Sequence, residues 1–209
     1  MKLEYQRNTS VRMFQTPLLE WGSRVHPAIP FLFYIPVVLG VATWGFVTHR
    51  TTPLWFLALY PAGWVTWDLL EYFIHRGFFH WEGSGPISRR IHQIAHGYHH
   101  TYPDDADRLV MPLGASLPLA ALIAFLLFLV GQPQATLPYF CGIVSSYMFY
   151  DFTHWATHYR TPKTAWGKAI RAHHMAHHFA CPDKNFGISH RWVDVLMGTL
   201  RKRPPRDEA

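Results

Sequence analysis

Long apolar runs alternate along the chain with polar stretches crowded by histidine and arginine, and run lengths of this kind predict helices rather than strands. Residues 30–48 (PFLFYIPVVLGVATWGFVT) and 53–67 (PLWFLALYPAGWVTW) contain no Asp, Glu, Lys or Arg, and the second continues as an apolar-rich helix through DLLEYFI to Ile74. Residues 113–131 form a third run, and residues 137–150, running on to His154, form a shorter fourth. At about 1.5 Å per residue, the pattern predicts four helices crossing a hydrocarbon layer of about 30 Å. A buried core helix explains one such run by itself, but poorly explains four in 209 residues. Prolines within the runs bend such helices without ending them, because neighbouring helices satisfy the freed carbonyls. The expectation is an all-α integral membrane protein forming one domain over residues 1–209.

Charge orients that picture. The stretches before the first run, between the second and third, and after the fourth hold four, four and ten Lys and Arg, leaving only Arg50 in the hairpin at 49–52. By the positive-inside rule, both termini and residues 74–112 face the cytoplasm. The net charge of +6 is then accounted for by topology and anionic head groups, and nucleic acid is not an expected partner. MKLEYQRNTSVRMF lacks the apolar core and small-residue cleavage site of a secretory signal. Two cysteines, Cys141 and Cys181, give neither a disulfide framework nor a thiolate metal site. Any bound metal needs other ligands.

The histidines supply them. Most of the fifteen fall on the predicted cytoplasmic side in four clusters: His75 with His80 (HRGFFH), His96 with His99 and His100 (HGYHH), His154 with His158 (HWATH), and His174 with His177 and His178 (HMAHH). On a helix, positions i, i+3 and i+4 share a face, so each H-x-x-H-H is expected to aim three imidazoles at one point and H-x-x-x-H two. His75 and His80 are five apart and need a helix end or loop between them, which Gly77 permits. Imidazole suits Zn, Fe, Cu and Ni, and ten ligands exceed what one ion uses, so two ions are the natural count. Glu71 and Asp151 stand four and three residues before a cluster histidine, placed to accept its second N–H. His26, His49 and His190 read as solvated or capping residues, and His92 and His173 either as neighbours supporting the clusters from outside or as bystanders.

The combined run HRGFFH, HQIAHGYHHTYPDDADRLVMP, HWATH, HHMAHHF and NFGISHRWVD resembles the fatty acid hydroxylase and sterol desaturase superfamily over roughly residues 65–200. Pro103, Asp105 and the Arg108–Leu109–Val110–Met111–Pro112 run are most similar to the fatty acid 2-hydroxylases, which act on acyl chains of ceramides and related lipids. The resemblance implies four spans under a cytoplasmic helical cap holding two iron ions, with zinc able to take their place in a purified sample. The implied ligands are His75, His80, His96, His99, His100, His154, His158, His174, His177 and His178. It further implies an O2-dependent lipid hydroxylase whose substrate is a fatty acyl or ceramide-like lipid. The His26–Pro27 pair lacks the glycines and acidic surroundings of a heme-binding turn, so electrons are expected from a separate carrier such as cytochrome b5 or ferredoxin. The stretch between His178 and Asn185 is short, which leaves open a sterol, carotenoid or other lipid hydroxylase or desaturase. A membrane metal carrier and a zinc hydrolase are the rivals from other classes. The missing carrier domain favours a bacterial inner membrane over the endoplasmic reticulum.

Overall fold

The computed structural model describes residues 10–201; the start of the N-terminal stretch and all but the first residue of the tail RKRPPRDEA lie outside them. The described residues form helices and loops without strands. A short helix α1 (Pro17–Ser23) precedes α2 (Ile29–Val47) and α3 (Pro53–Phe73). A cap follows with α4 (Pro86–His92) and α5 (Tyr98–Thr101), then α6 (Leu113–Val130), the long α7 (Pro133–Tyr159), α8 (Ala165–Phe179) and α9 (Trp192–Leu196). The four apolar runs become α2, α3, α6 and α7, and each carries an internal proline: Pro36, Pro61, Pro118 and Pro138.

Two segments, Ile29–Val47 and Ala106–Val130, are long and apolar enough to cross a membrane on length and composition alone. Both are scarcely buried against the rest of the protein, so apolar side chains such as Leu39, Phe125 and Leu129 face outward. A helix that is apolar all round yet uncovered by protein is suited to lipid. Helices α3 and α7 are long enough but do not meet that standard of apolarity, and their cap-side halves carry Asp68, Glu71, Asp151, His154 and His158. These two form the protein's centre. Their backbones touch: a Cβ on Gly63 would lie 2.2 Å from the Tyr139 carbonyl oxygen, and one on Gly142 would lie 2.0 Å from that of Tyr60. Side by side, they carry Glu71 and Asp151 to one level and His75 and His154 just beyond it. Tyr34, Trp67, Phe140, Tyr147, Tyr150 and Ile188 fill the core beneath that level.

Candidate metal centre

The ten cluster histidines converge, and they do so as two groups of five. His75, His80, His96, His100 and His177 form one, and His99, His154, His158, His174 and His178 the other, with one nitrogen from each residue within 4.8 Å of its partners'. The expectation that each H-x-x-H-H box serves one point is therefore corrected. His96 and His100 go to the first group while His99 turns to the second; His174 and His178 go to the second while His177 turns to the first. Helical geometry gives the reason. Residues i and i+4 point within about 40° of each other, but i+3 and i+4, being sequence neighbours, diverge by about 100°.

The five-residue spacing of His75 and His80 also has a local cause. Ile74–Phe79 is a π-turn, and the His80 N–H donates to the His75 carbonyl at 3.2 Å, so residues five apart lie one above the other. Where a helix end or loop was expected, the π-turn continues α3 as far as Phe79 and ends at His80; a Cβ on Gly77 would meet nothing within 4 Å, so close packing does not demand glycine there. A second π-turn, Gln93–Gly97, leads into α5 and carries His96.

The ring nitrogens face one another. Nε2 of His96 lies 3.0 Å from that of His75 and 2.8 Å from that of His100, and the His80–His177 pair is at 3.1 Å. In the second group, His99 lies 2.9 Å from both His154 and His178, and His174 lies 2.9 Å from His158 and 3.1 Å from His178. Hydrogen bonding does not account for this set. Nδ1–H of His75 donates to the Phe186 carbonyl at 2.5 Å, that of His177 to Lys184 at 2.7 Å, and that of His154 to Leu109 at 2.9 Å. A carbonyl only accepts, so in these neutral rings the proton sits on Nδ1 and Nε2 presents a bare lone pair. Nε2 of His96, His99, His174 and His178 each faces two other ring nitrogens, more than one ring proton can serve, whereas a cation between them satisfies the set: metal–nitrogen bonds of about 2.1 Å at right angles give edges of about 3.0 Å. The residues present fit a pair of imidazole-bound metal ions.

Protonation agrees with this. Burial first, and neighbouring imidazoles second, push His80 down to about 3 and His100 to about 2, and lower His99, His174 and His178 well below the ordinary value. Uncharged imidazole is the form that binds metal.

The carboxylates act one step further out than expected. Glu71 does not meet His75; its Oε1 accepts the N–H groups of Ile188 (2.5 Å) and Ser189 (2.8 Å), and its Oε2 the Ser189 hydroxyl (2.6 Å). Asp151 likewise accepts the Met111 N–H at 3.2 Å, two residues from the Leu109 carbonyl that receives His154. His173 is buried and pairs at 3.0 Å with Asp194, which also accepts the N–H groups of Phe186 and Gly187. His92 bonds the Phe79 carbonyl at 2.6 Å, outside both groups. His190, expected to be solvated, is half-buried against Asp68 at 3.1 Å, which raises its proton affinity. His26 caps a turn through Ala28 N–H, and His49 is exposed.

A cavity of about 890 Å³ reaches this centre, with His96 of the first group and His99 and His154 of the second in its wall. The remainder is almost wholly apolar, including Phe78, Phe79, Ile94, Met111 and Tyr150, and the segment Met13–Ser23 closes one side. Arg108, the cation in that wall, is met by Glu20 and Asp105, each at 2.7 Å.

Residues 60–199 match the model of the family described as fatty acid hydroxylase. The chain belongs to the fatty acid hydroxylase family. Among its relatives, the dihydroceramide fatty acyl 2-hydroxylase of Arabidopsis thaliana is 35% identical over 90% of this chain and 79% of that protein. Fatty acid 2-hydroxylase of Rattus norvegicus is 30% identical over 91% of this chain, which spans 56% of the rat protein. The solved structure of full-length scs7p, in which only the hydroxylase domain is visible, superposes with a TM-score of 0.81 at 27% identity, covering 88% of this chain and 70% of that one. Within this hydroxylase-family chain, sequence reasoning missed the acceptor carbonyls of Leu109, Lys184 and Phe186, which carry no side-chain signature. It also missed the cavity wall at Met13–Ser23. The five-residue histidine spacing was the available signal for the π-turn.

Proposed function

We propose that the chain is a membrane-bound di-iron oxygenase that hydroxylates a lipid acyl chain at the carbon next to its carbonyl. The carrying observation is the apolar cavity that ends on imidazoles from both five-histidine groups. Its volume lies within the roughly 300–1,000 Å³ usual for ligand sites. The names of the relatives, dihydroceramide fatty acyl 2-hydroxylase and fatty acid 2-hydroxylase, support the acyl 2-position. The wall supports an uncharged substrate: Arg108 is compensated by two carboxylates and has no spare charge for a free carboxylate or phosphate. A chain already joined in an amide or ester linkage suits it better, as in a ceramide-like lipid.

The proposed iron ligands are His75, His80, His96, His100 and His177 for one ion, and His99, His154, His158, His174 and His178 for the other. Bound iron supplies, with dioxygen, the oxidising power for C–H cleavage that no side chain has. The protein's own work is placement. Phe78, Phe79, Ile94 and Met111 grip the acyl chain and keep water from it, and His96, His99 and His154 end the cavity at both ions. Electrons come from a separate carrier such as cytochrome b5 or ferredoxin. The proposed topology has α2, α3, α6 and α7 as four spans of one domain, with termini and metals on the cytoplasmic side of a bacterial inner membrane rather than the endoplasmic reticulum. It lets the acyl chain stay among apolar helices while its polar end reaches the cap.

The test is mass spectrometry of lipids from cells making the protein. A gain of one oxygen on an acyl chain is expected, and it should vanish in His99→Ala and in His177→Ala. Unchanged hydroxylated lipid in both variants would defeat the proposal.

A further inference from the structure

We propose that Glu71 is the positioning residue of the first metal ion, acting through the backbone of residues 184–189; the inference rests on the dimetal reading above. That segment supplies both carbonyls that accept Nδ1–H from the first group: Phe186 for His75 and Lys184 for His177. A turn of this kind has no helix or sheet to fix it, and two buried carboxylates do so instead. Asp194 accepts the N–H groups of Phe186 (2.8 Å) and Gly187 (2.8 Å) from one side. Glu71 accepts three donors from Ile188 and Ser189 on the other. Asn185, at φ 58°, turns the chain into the segment, held by its N–H to the Thr199 carbonyl and by its Oδ1 to the Arg201 N–H.

Glu71 is four residues before His75 on α3, so the same helix brings the ligand and the clamp that orients it. No link of this kind joins Glu71 to the second group. There, His154 donates to Leu109, while Nδ1 of His99, His174 and His178 is buried and has no hydrogen-bond partner among the described residues. Loss of Glu71 therefore strikes one ion. Removing its carboxylate leaves three donors unmet, lets residues 186–189 shift, and frees His75 and His177 to rotate or change tautomer. Outer partners of metal ligands are worth about 10–100-fold in affinity.

The experiment loads purified full-length protein with Co2+ and counts ions per chain by elemental analysis, with helical circular dichroism as the check on folding. Wild type should hold two ions and Glu71→Leu one. In a His174→Ala background, which keeps the first site, Glu71→Leu should remove the remaining ion; a general structural role would weaken both sites alike. Glu71→Gln keeps one oxygen for the backbone donors and should recover much of the affinity. If Glu71→Leu fails to accumulate, Ser189→Ala is measured instead, with about tenfold weaker binding expected for the first ion alone. Two ions in wild type and two in Glu71→Leu, or equal loss from both sites, would overturn the inference while leaving the dimetal reading intact. A wild-type chain that takes up no Co2+ would bring down both.

Discussion

The two histidine groups present the same five imidazoles apiece, yet they are held in different ways. The first is braced by a loop: His75 and His177 hand their outer protons to residues 184–189, which Glu71 and Asp194 clamp. The second is braced by helices. Four of its five members, His154, His158, His174 and His178, come as i, i+4 pairs from α7 and α8, and among the described residues only His154 has a carbonyl for its Nδ1. A pair on one rigid helix is aimed by the helix itself; the first group has one i, i+4 pair, His96 and His100, and that pair straddles a π-turn and a short cap helix, so its ligands, gathered from two π-turns, that cap helix and a single position on α8, need an outside frame. A histidine motif states which nitrogens arrive, and the surroundings decide what holds them there.

The largest expected effect would break the comparison at its root. His80→Ala should remove one ion, His158→Ala the other, and each should abolish lipid hydroxylation. Elemental analysis of the two variants and their double should give one, one and no ion; loss of both ions from either single variant would mean that the groups are one cooperative site.

Acid should next reveal what the groups share. Their histidines have folded-state affinities for protons lowered by burial, so the unfolded chain binds more protons below about pH 6.5. Stability of the metal-free protein is then fully present above that pH and lost as pH falls. Thermal melts at pH 7.5 and 5.5 should differ by about 5 °C or more, with the acidic sample lower. Equal melting points would mean that the imidazoles are not buried in the metal-free state.

The smallest effect serves as the contrast for both. Arg24 pairs with Glu20 at 3.0 Å on the rim of the N-terminal arm and is itself exposed. Arg24→Gln should cost no more than about 0.5 kcal/mol and leave two ions per chain. A loss of metal would show that the arm is coupled to the centre more tightly than its contacts indicate.

How much of this was legible in the sequence depends on the kind of interaction. The apolar runs read correctly as helices α2, α3, α6 and α7, because a long apolar run without charge has few structural uses. The ten histidines were expected to converge, since four clusters at helical spacing are hard to place otherwise, and the structure brings them together as two groups of five. Their division did not, because it turns on the angle between neighbours such as His99 and His100 rather than on which residues share a motif. Glu71 and Asp151 were legible as residues on the ligands' side of their helices. Their partners were not, because Ile188, Ser189 and Met111 respond through backbone N–H groups that every residue except proline possesses.

The π-turn at Ile74–Phe79 has a further consequence. One residue more than an α-turn is housed there, so everything beyond it is set back by about 100° around the axis relative to an unbroken helix. The turn thus behaves as a phase shifter between two media. Below it, α3 is wound to suit its contact with α7; above it, the same polypeptide is wound to suit the histidine groups, and neither winding has to compromise with the other. A single-residue deletion within HRGFFH would restore ordinary helical pitch and leave His75 in place, yet turn the entering cap against the face it now meets.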